Sequence, residues 1–245
     1  MTAAERAREW LSSAKSIAVL TGAGISAESG IPTFRDQWGR SPDRPPLWNQ
    51  FRPEDLATPQ AFARDPKFVW EWYDWRRSLI AKAEPNAGHL ALAELERRKP
   101  NFTLITQNVD GLHDRAGSTH VLKVHGDIWT LRCTLCSHER HDPRPSLPEL
   151  PPKCNCGAIE RPGVVWFGEN LPPEIWAQAE QAAEAAGVFL VVGTSALVYP
   201  AAGLVHLAKA SGAKVVEVNP AETPVSGMVD FSWRAAAAEA LPQLL

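Results

Sequence analysis

Five short apolar runs recur along the chain: Ile17 to Leu20, Phe102 to Ile105, Val121 to Val124, Val188 to Val192 and Val215 to Val218. Runs of this length with little polar alternation read as strands buried on both faces, and the long amphipathic stretches between them read as helical crossovers. The expectation is an α/β chain built on a Rossmann-like, mainly parallel sheet. Each run is followed by small or polar residues: Thr21-Gly22-Ala23-Gly24, Thr106-Gln107-Asn108, His125-Gly126, Gly193-Thr194-Ser195 and Asn219-Pro220. Any one of these alone is as readily a turn. Open α/β sheets bind ligands in the crevice outside the carboxyl ends of their strands, so five polar tips together predict one shared site.

Two segments interrupt the alternation. Residues 38–83 are rich in proline and tryptophan and end in a predicted helix from Pro66 to Ala83; residues 129–159 carry every cysteine. Both read as insertions that together build a smaller lobe. The expected division is a sheet domain made of 1–37, 84–128 and 160–245, a loop and helical module over 38–83, and a cysteine-bearing insertion over 129–159. Five of the ten tryptophans lie between Trp38 and Trp75. On the predicted helix, Val69, Tyr73, Arg76 and Ile80 share one face, so an arginine interrupts an apolar stripe. Its plain reading is a rim residue whose stem covers the core.

Cys133-x2-Cys136 and Cys154-x-Cys156, seventeen residues apart, form two close thiolate pairs. This is the spacing of a zinc ribbon, in which four thiolates complete a tetrahedral structural site with no position left for water. A redox pair and an iron–sulfur cluster are the competing readings. Gly157 can supply the turn that brings both sulfurs of the second pair inward, and His138 and His141 are expected in solvent. The N-terminal residues carry alternating charges in place of an apolar core, and no stretch reaches the length of a membrane span, so a cytoplasmic protein is expected. A formal net charge of −3 supplies no global basic field for a nucleic-acid backbone. Neither nucleic-acid nor membrane binding is expected.

The loop Gly22-Ala23-Gly24-Ile25-Ser26 after the first run resembles a dinucleotide fingerprint, whose backbone approaches a pyrophosphate. That fingerprint also needs an acidic residue at the end of a second strand. Here the corresponding region, Ile31 to Trp38, does not read as a strand, which disfavours a hydride-transfer dehydrogenase while keeping a dinucleotide or phosphate ligand.

Further motifs follow in order: Ser29-Gly30-Ile31-Pro32-Thr33-Phe34-Arg35, Thr106-Gln107-Asn108-Val109-Asp110-Gly111-Leu112-His113, His125-Gly126, the paired cysteines, Val164-Val165-Trp166-Phe167-Gly168-Glu169, Gly193-Thr194-Ser195 and Val218-Asn219-Pro220. Over nearly the whole chain this series resembles the sirtuins, which remove acyl groups from protein lysines while consuming NAD and release nicotinamide and O-acyl-ADP-ribose. The resemblance implies NAD as co-substrate and one structural zinc held by Cys133, Cys136, Cys154 and Cys156. It implies that Gly22, Ala23, Gly24 and Ser26 line the pyrophosphate and ribose, that Phe34 and Arg35 lie on a covering loop, and that Gln107, Asn108 and Asp110 surround the nicotinamide and its ribose. Gly193, Thr194, Ser195, Asn219, Pro220 and Ala237 would hold the adenosine half.

His125 would be the general base that activates a ribose hydroxyl after the acyl oxygen has displaced nicotinamide, a task suited to a neutral imidazole. His89 is expected at a helix start, and His113 as an orienter of its loop. Val164, Val165 and Phe167 would pair with an extended acyl-lysine segment as an added strand; the plainer reading of that stretch is an edge strand of the sheet domain. Tyr73-x-x-Arg76 resembles the pair of the sirtuin class that takes succinyl, malonyl and glutaryl lysine, because a hydroxyl and a guanidinium together match an acyl carboxylate. The segment from Asp36 to Gln50 is longer than the usual cofactor loop. An ADP-ribosyltransferase or NAD glycohydrolase on the same fold is the competing activity, and a non-catalytic NAD sensor or zinc-stabilised interaction module the competing class.

Overall fold

The computed structural model describes residues 2–33 and 51–245. In chain order the strands are β1 (Ile17–Thr21), β2 (Phe102–Thr106), β3 (Val121–Lys123), β4 (Gly126–Cys133), β5 (Glu139–His141), β6 (Glu160–Val164), β7 (Val188–Val192), β8 (Lys214–Val218) and β9 (Phe231–Trp233). Six of them form one sheet in the order β3-β2-β1-β7-β8-β9, with every pairing parallel. The five predicted strands are all present to within one residue at each end. Phe231–Trp233, too short to announce itself by periodicity, adds the sixth at the edge.

The helices are α1 (Ala3–Ser13), α2 (Pro53–Leu56), α3 (Pro59–Arg64), α4 (Pro66–Ile80), α5 (Ala87–Arg98), α6 (Leu112–Arg115), α7 (Pro173–Ala185), α8 (Gly203–Ala210) and α9 (Ala237–Leu244). Side chains alternate across the sheet as strand geometry requires. Ile17 and Val19 join Leu104, Leu190 and Val216 in a core with α1, α5 and α9, while Ala18 and Leu20 join Phe189, Val191 and Val215 in a second core with α7 and α8. The chain runs outward from β1 through β2 to β3, then returns to β7 on the other side of β1. The sheet order therefore reverses between β1 and β7, and the crevice opens at that switch point.

Both insertions share a third core. Leu56, Phe62, Val69, Trp70, Trp72, Tyr73 and Ile80 from the helical module pack with Ile128, Trp129, Leu131, Val164 and Trp166. An antiparallel sheet in the order β5-β4-β6 forms the cysteine-bearing part. It runs from Gly126 to Val164 and so overhangs 129–159 at both ends. Of the stretch Val164 to Glu169, only Val164 lies in a strand, as the last residue of β6 at the edge of this small sheet, so its plainer reading as an edge strand of the large sheet does not hold. α4 begins where Asp65 accepts the Phe68 amide ahead of Pro66, and it ends three residues short of Ala83. The Lys82 and Ala83 amides bond back to Leu79 and Ile80, tightening the last turn. Among the described residues no helix is long and apolar enough to cross a membrane.

Candidate active site: the crevice between β1 and β7

Two loops meet at the switch point. The Gly22 amide donates to the Val192 carbonyl at 3.0 Å and the Gly24 amide to the Gly193 carbonyl at 2.7 Å. A Cβ on Gly22 would lie 2.8 Å from Thr194 Cα, one on Gly24 2.7 Å from Gly193 O, and one on Gly193 2.4 Å from the Ile25 nitrogen. Gly193 also holds φ at 57°. The glycines are thus required first by the contact of the two backbones. The amides of Gly22 and Gly24 are already used there.

Side chains from the β2 tip stitch the loops together. Gln107 Nε2 donates to Thr194 Oγ1 at 2.9 Å, and Asn219 Nδ2, from the β8 tip, donates to Thr194 O at 2.7 Å. Asn108 Nδ2 donates to Gly22 O at 3.1 Å and to Ser26 Oγ at 3.2 Å; Ser26 Oγ in turn donates to Asp110 Oδ2 at 2.8 Å. Burial pushes the Asp110 carboxyl up, and the Leu112 amide and Ser26 hydroxyl oppose that shift. Ser195 is half-buried and Pro220 exposed beside this network. Ala237, buried at the start of α9, lies against Gly88 of α5. Phe34 and Arg35 lie outside the described residues, as do Trp38, Trp48 and the segment 36–50.

His125 stands at the β3 tip, half-buried, with Nδ1 3.1 Å from the Gln107 carbonyl. A carbonyl only accepts, so Nδ1 carries the hydrogen and Nε2 keeps its lone pair. Burial lowers the imidazole pKa, which keeps the ring neutral at pH 7. The His125 carbonyl accepts the Val165 amide at 2.9 Å, so the chain leaving β6 runs beside the histidine. Phe167, further along, is exposed, and its amide donates to Ala57 O.

His89 and His113 are both buried, with ring centroids 4.9 Å apart. His89 caps α5 through the Asn86 amide, as its position predicts. Thr21 Oγ1 donates to Thr106 Oγ1 at 2.9 Å, so it accepts from His113 Nε2 at 3.0 Å. Burial pushes the two imidazoles down to about 4 and about 3.

In the lobe Tyr73 is buried, and its Oη accepts the Trp166 indole hydrogen at 2.9 Å. Arg76 is half-buried, with Cζ 4.8 Å from the Trp72 ring centroid, and its positive charge acts on both the Tyr73 phenol and the Asp110 carboxyl. The two members of the Tyr73-x-x-Arg76 motif therefore sit near one another and near Asp110. Trp70 and Trp72 are fully buried; Trp70 donates to Glu160 O at 2.7 Å.

The four cysteine sulfurs lie within 4.8 Å of one another. Cys133 and Cys156 sulfurs are 3.5 Å apart, and Cys136 and Cys154 sulfurs 3.7 Å. A tetrahedron with Zn–S near 2.3 Å has S···S edges of about 3.8 Å, so the cluster fits a structural zinc. The Leu135 and Cys136 amides donate to Cys133 Sγ at 3.4 Å, and such amides draw that thiol down to about 6. Gly157 takes φ 89° as the second pair requires, and His138 and His141 are exposed.

Arg77, Trp166 and Asn86 were not singled out from sequence. Arg77 is fully buried and bonds three backbone carbonyls; Asn86 Nδ2 ties α5 to the crevice loop through Ile25 O and Ser29 Oγ. Arginine next to arginine in an apolar helix was the available signal for the first. Asn86 is of the type favoured just before a helix and Trp166 lies within the Val164 to Glu169 motif, but nothing local gives either its distant partner.

Sheet order, paired loops, neutral histidine and four clustered cysteines define an α/β protein with a site of dinucleotide-binding type at its switch point and a second lobe whose thiolates fit a structural metal. The family model described as Sir2 family matches residues 22–200. The chain belongs to the Sir2 family. It is 56% identical over 229 residues to the NAD-dependent protein deacylase of Aquifex aeolicus, covering 93% of each chain. Among solved structures it resembles a Sir2 homolog–NAD complex with TM-score 0.90 and 48% identity, over 98% of this chain and 91% of that one. A complex of a mutant Sir2 homologue with 2'-O-acetyl ADP ribose gives TM-score 0.89 and 47% identity, over 98% and 94%.

Proposed function

We propose that this chain is an NAD-dependent protein-lysine deacylase acting on acetyl and on acidic acyl groups such as succinyl and malonyl. The observation that carries the reading is His125: its Nδ1 hydrogen is fixed on Gln107 O and its Nε2 lone pair is available in a crevice of dinucleotide type. Relatives named as NAD-dependent protein deacylases, and a neighbour bound to an acetylated ADP-ribose, support the same chemistry.

NAD supplies an anomeric carbon whose nicotinamide can be displaced by the acyl oxygen of the substrate. Around it, Gly22, Ala23, Gly24 and Ser26 line the pyrophosphate and ribose, and Gln107, Asn108 and Asp110 border the nicotinamide side. Gly193, Thr194, Ser195, Asn219, Pro220 and Ala237 border the adenosine side, with Phe34 and Arg35 assigned to the covering loop. His125 Nε2 takes the proton from a ribose hydroxyl, a step that a positioned base accelerates by about 10²–10⁴-fold. The acyl-lysine segment docks extended along Val164, Val165 and Phe167, and Tyr73 and Arg76 meet an acyl carboxylate. Cys133, Cys136, Cys154 and Cys156 hold one zinc that takes no part in the chemistry. In this reading 1–37, 84–128 and 160–245 form the NAD-binding domain, and 38–83 with 129–159 form the lobe, whose sheet borrows a few residues from the larger domain on either side.

Incubation with NAD and one peptide in acetyl and succinyl forms tests the proposal by mass spectrometry of the nucleotide. The expected products are nicotinamide and the matching O-acyl-ADP-ribose. Free ADP-ribose formed without acyl peptide would instead identify a glycohydrolase, and ADP-ribose attached to protein a transferase.

A further inference from the structure

The Trp166 indole donates to Tyr73 Oη at 2.9 Å between two side chains that are each 3% exposed. An indole N–H has no acceptor capacity, so the phenol oxygen must accept. The Tyr73 hydrogen consequently cannot point at Trp166. Among the described residues no other hydrogen-bond partner of Tyr73 Oη is found, and a hydroxyl that accepts one hydrogen bond becomes a stronger donor in the next.

Trp166 itself is clamped. The Arg161 guanidinium lies 3.4 Å from its ring centroid, and Phe62 packs at 5.1 Å. The Trp166 amide donates to Glu169 Oε2 at 2.8 Å, while Arg161 grips both oxygens of Glu169 at 2.6 and 2.8 Å. Its indole is therefore held in one orientation from both ends of the side chain, and the hydroxyl it orients inherits that precision.

We propose that Trp166 is a specificity-determining positioning residue: it turns the Tyr73 O–H toward the carboxylate of an acidic acyl chain, a group that a neutral acetyl lacks. The inference rests on the reading of Tyr73 and Arg76 as the carboxylate-binding pair. Burial pushes the Tyr73 phenol up to about 12, so it remains a donor at neutral and moderately alkaline pH.

The test compares kcat/KM for succinyl and acetyl versions of one peptide in the zinc-loaded protein and in Tyr73→Phe, Trp166→Phe and the double variant. Trp166→Phe should lower the succinyl-to-acetyl ratio roughly tenfold, with the loss in KM for the succinyl peptide. The double variant should match Tyr73→Phe alone, because Trp166 acts through that hydroxyl. Equal losses on both peptides in Trp166→Phe, or a loss that adds in full to that of Tyr73→Phe, would overturn the proposal. A lowered ratio in Tyr73→Phe with an unchanged ratio in Trp166→Phe overturns the role of Trp166 alone. An unchanged ratio in Tyr73→Phe overturns the carboxylate reading itself. Should Trp166→Phe fail to fold, a benzothienyl-alanine at position 166 keeps the bulk, removes the N–H and gives the same readout.

Discussion

Arg77 Nη1 donates to the Ile128 carbonyl at 2.7 Å, fastening α4 of the helical module to β4 of the cysteine-bearing sheet. The same guanidinium, fully buried, reaches the carbonyls of Asp142 and Arg144 through Nη2 and lies 4.9 Å from the Trp129 ring centroid. Trp129 Nε1 in turn donates to Asp110 O at 2.9 Å. A continuous path thus joins the cysteine-bearing sheet, the helix carrying Tyr73 and Arg76, and Asp110 in the crevice.

Arg77→Met would leave the buried carbonyls of Ile128 and Asp142, and the half-buried one of Arg144, without this donor. The expected cost is about 3–5 kcal/mol, read as a lower midpoint in urea unfolding. Asp142 would stay ionised, since the Arg144 guanidinium holds its carboxyl well below the usual range and Arg140 adds to this.

His125→Ala should reduce deacylation by about 10²–10⁴-fold while leaving the unfolding midpoint and zinc content near those of the parent protein. The base works unprotonated, and burial lowers its folded pKa, so activity is retained as pH falls through the ordinary histidine value and lost only below it. The acid limb of kcat/KM should therefore lie below about pH 6.5. A limb above that value, or an active His125→Ala, would remove His125 from the base role.

Arg76→Met should depress desuccinylation about ten- to a hundredfold more than deacetylation, the worth of a charge-assisted hydrogen bond to a carboxylate. Steady-state kinetics on paired peptides measure the difference. Equal losses would show that Arg76 serves the structure and does not meet the acyl carboxylate.

Metal analysis should find about one zinc per chain, and prolonged chelation should lower the unfolding temperature by loosening the β5-β4-β6 sheet. Cys154→Ser, at the buried member of the cluster, should reproduce that loss.

The strands were legible because a buried strand is a property of consecutive residues: Ile17 to Leu20 and Val188 to Val192 are apolar at every position. The cysteine cluster was legible for a similar reason, since two short spacings bring each thiolate pair together locally. The edge strand Phe231–Trp233 was not, because three half-buried residues carry no period. Gly193 illustrates a partial reading. Its place after a strand marked a tip, but the need for glycine arises from the Ile25 nitrogen, which only the approach of the β1 loop supplies.

By itself the sequence determined the α/β class, the family motifs, the cysteine lobe and the helix bearing Tyr73 and Arg76, all of which depend on residues near one another in the chain. Tertiary structure decided the reversal between β1 and β7, the burial of Arg77 and the bond from Trp166 to Tyr73, whose partners are 93 positions apart. Periodicity reports which face of an element is apolar. Which donor meets which acceptor across that face is set by how the elements pack, since a buried polar group is stable only beside the partner that packing brings to it.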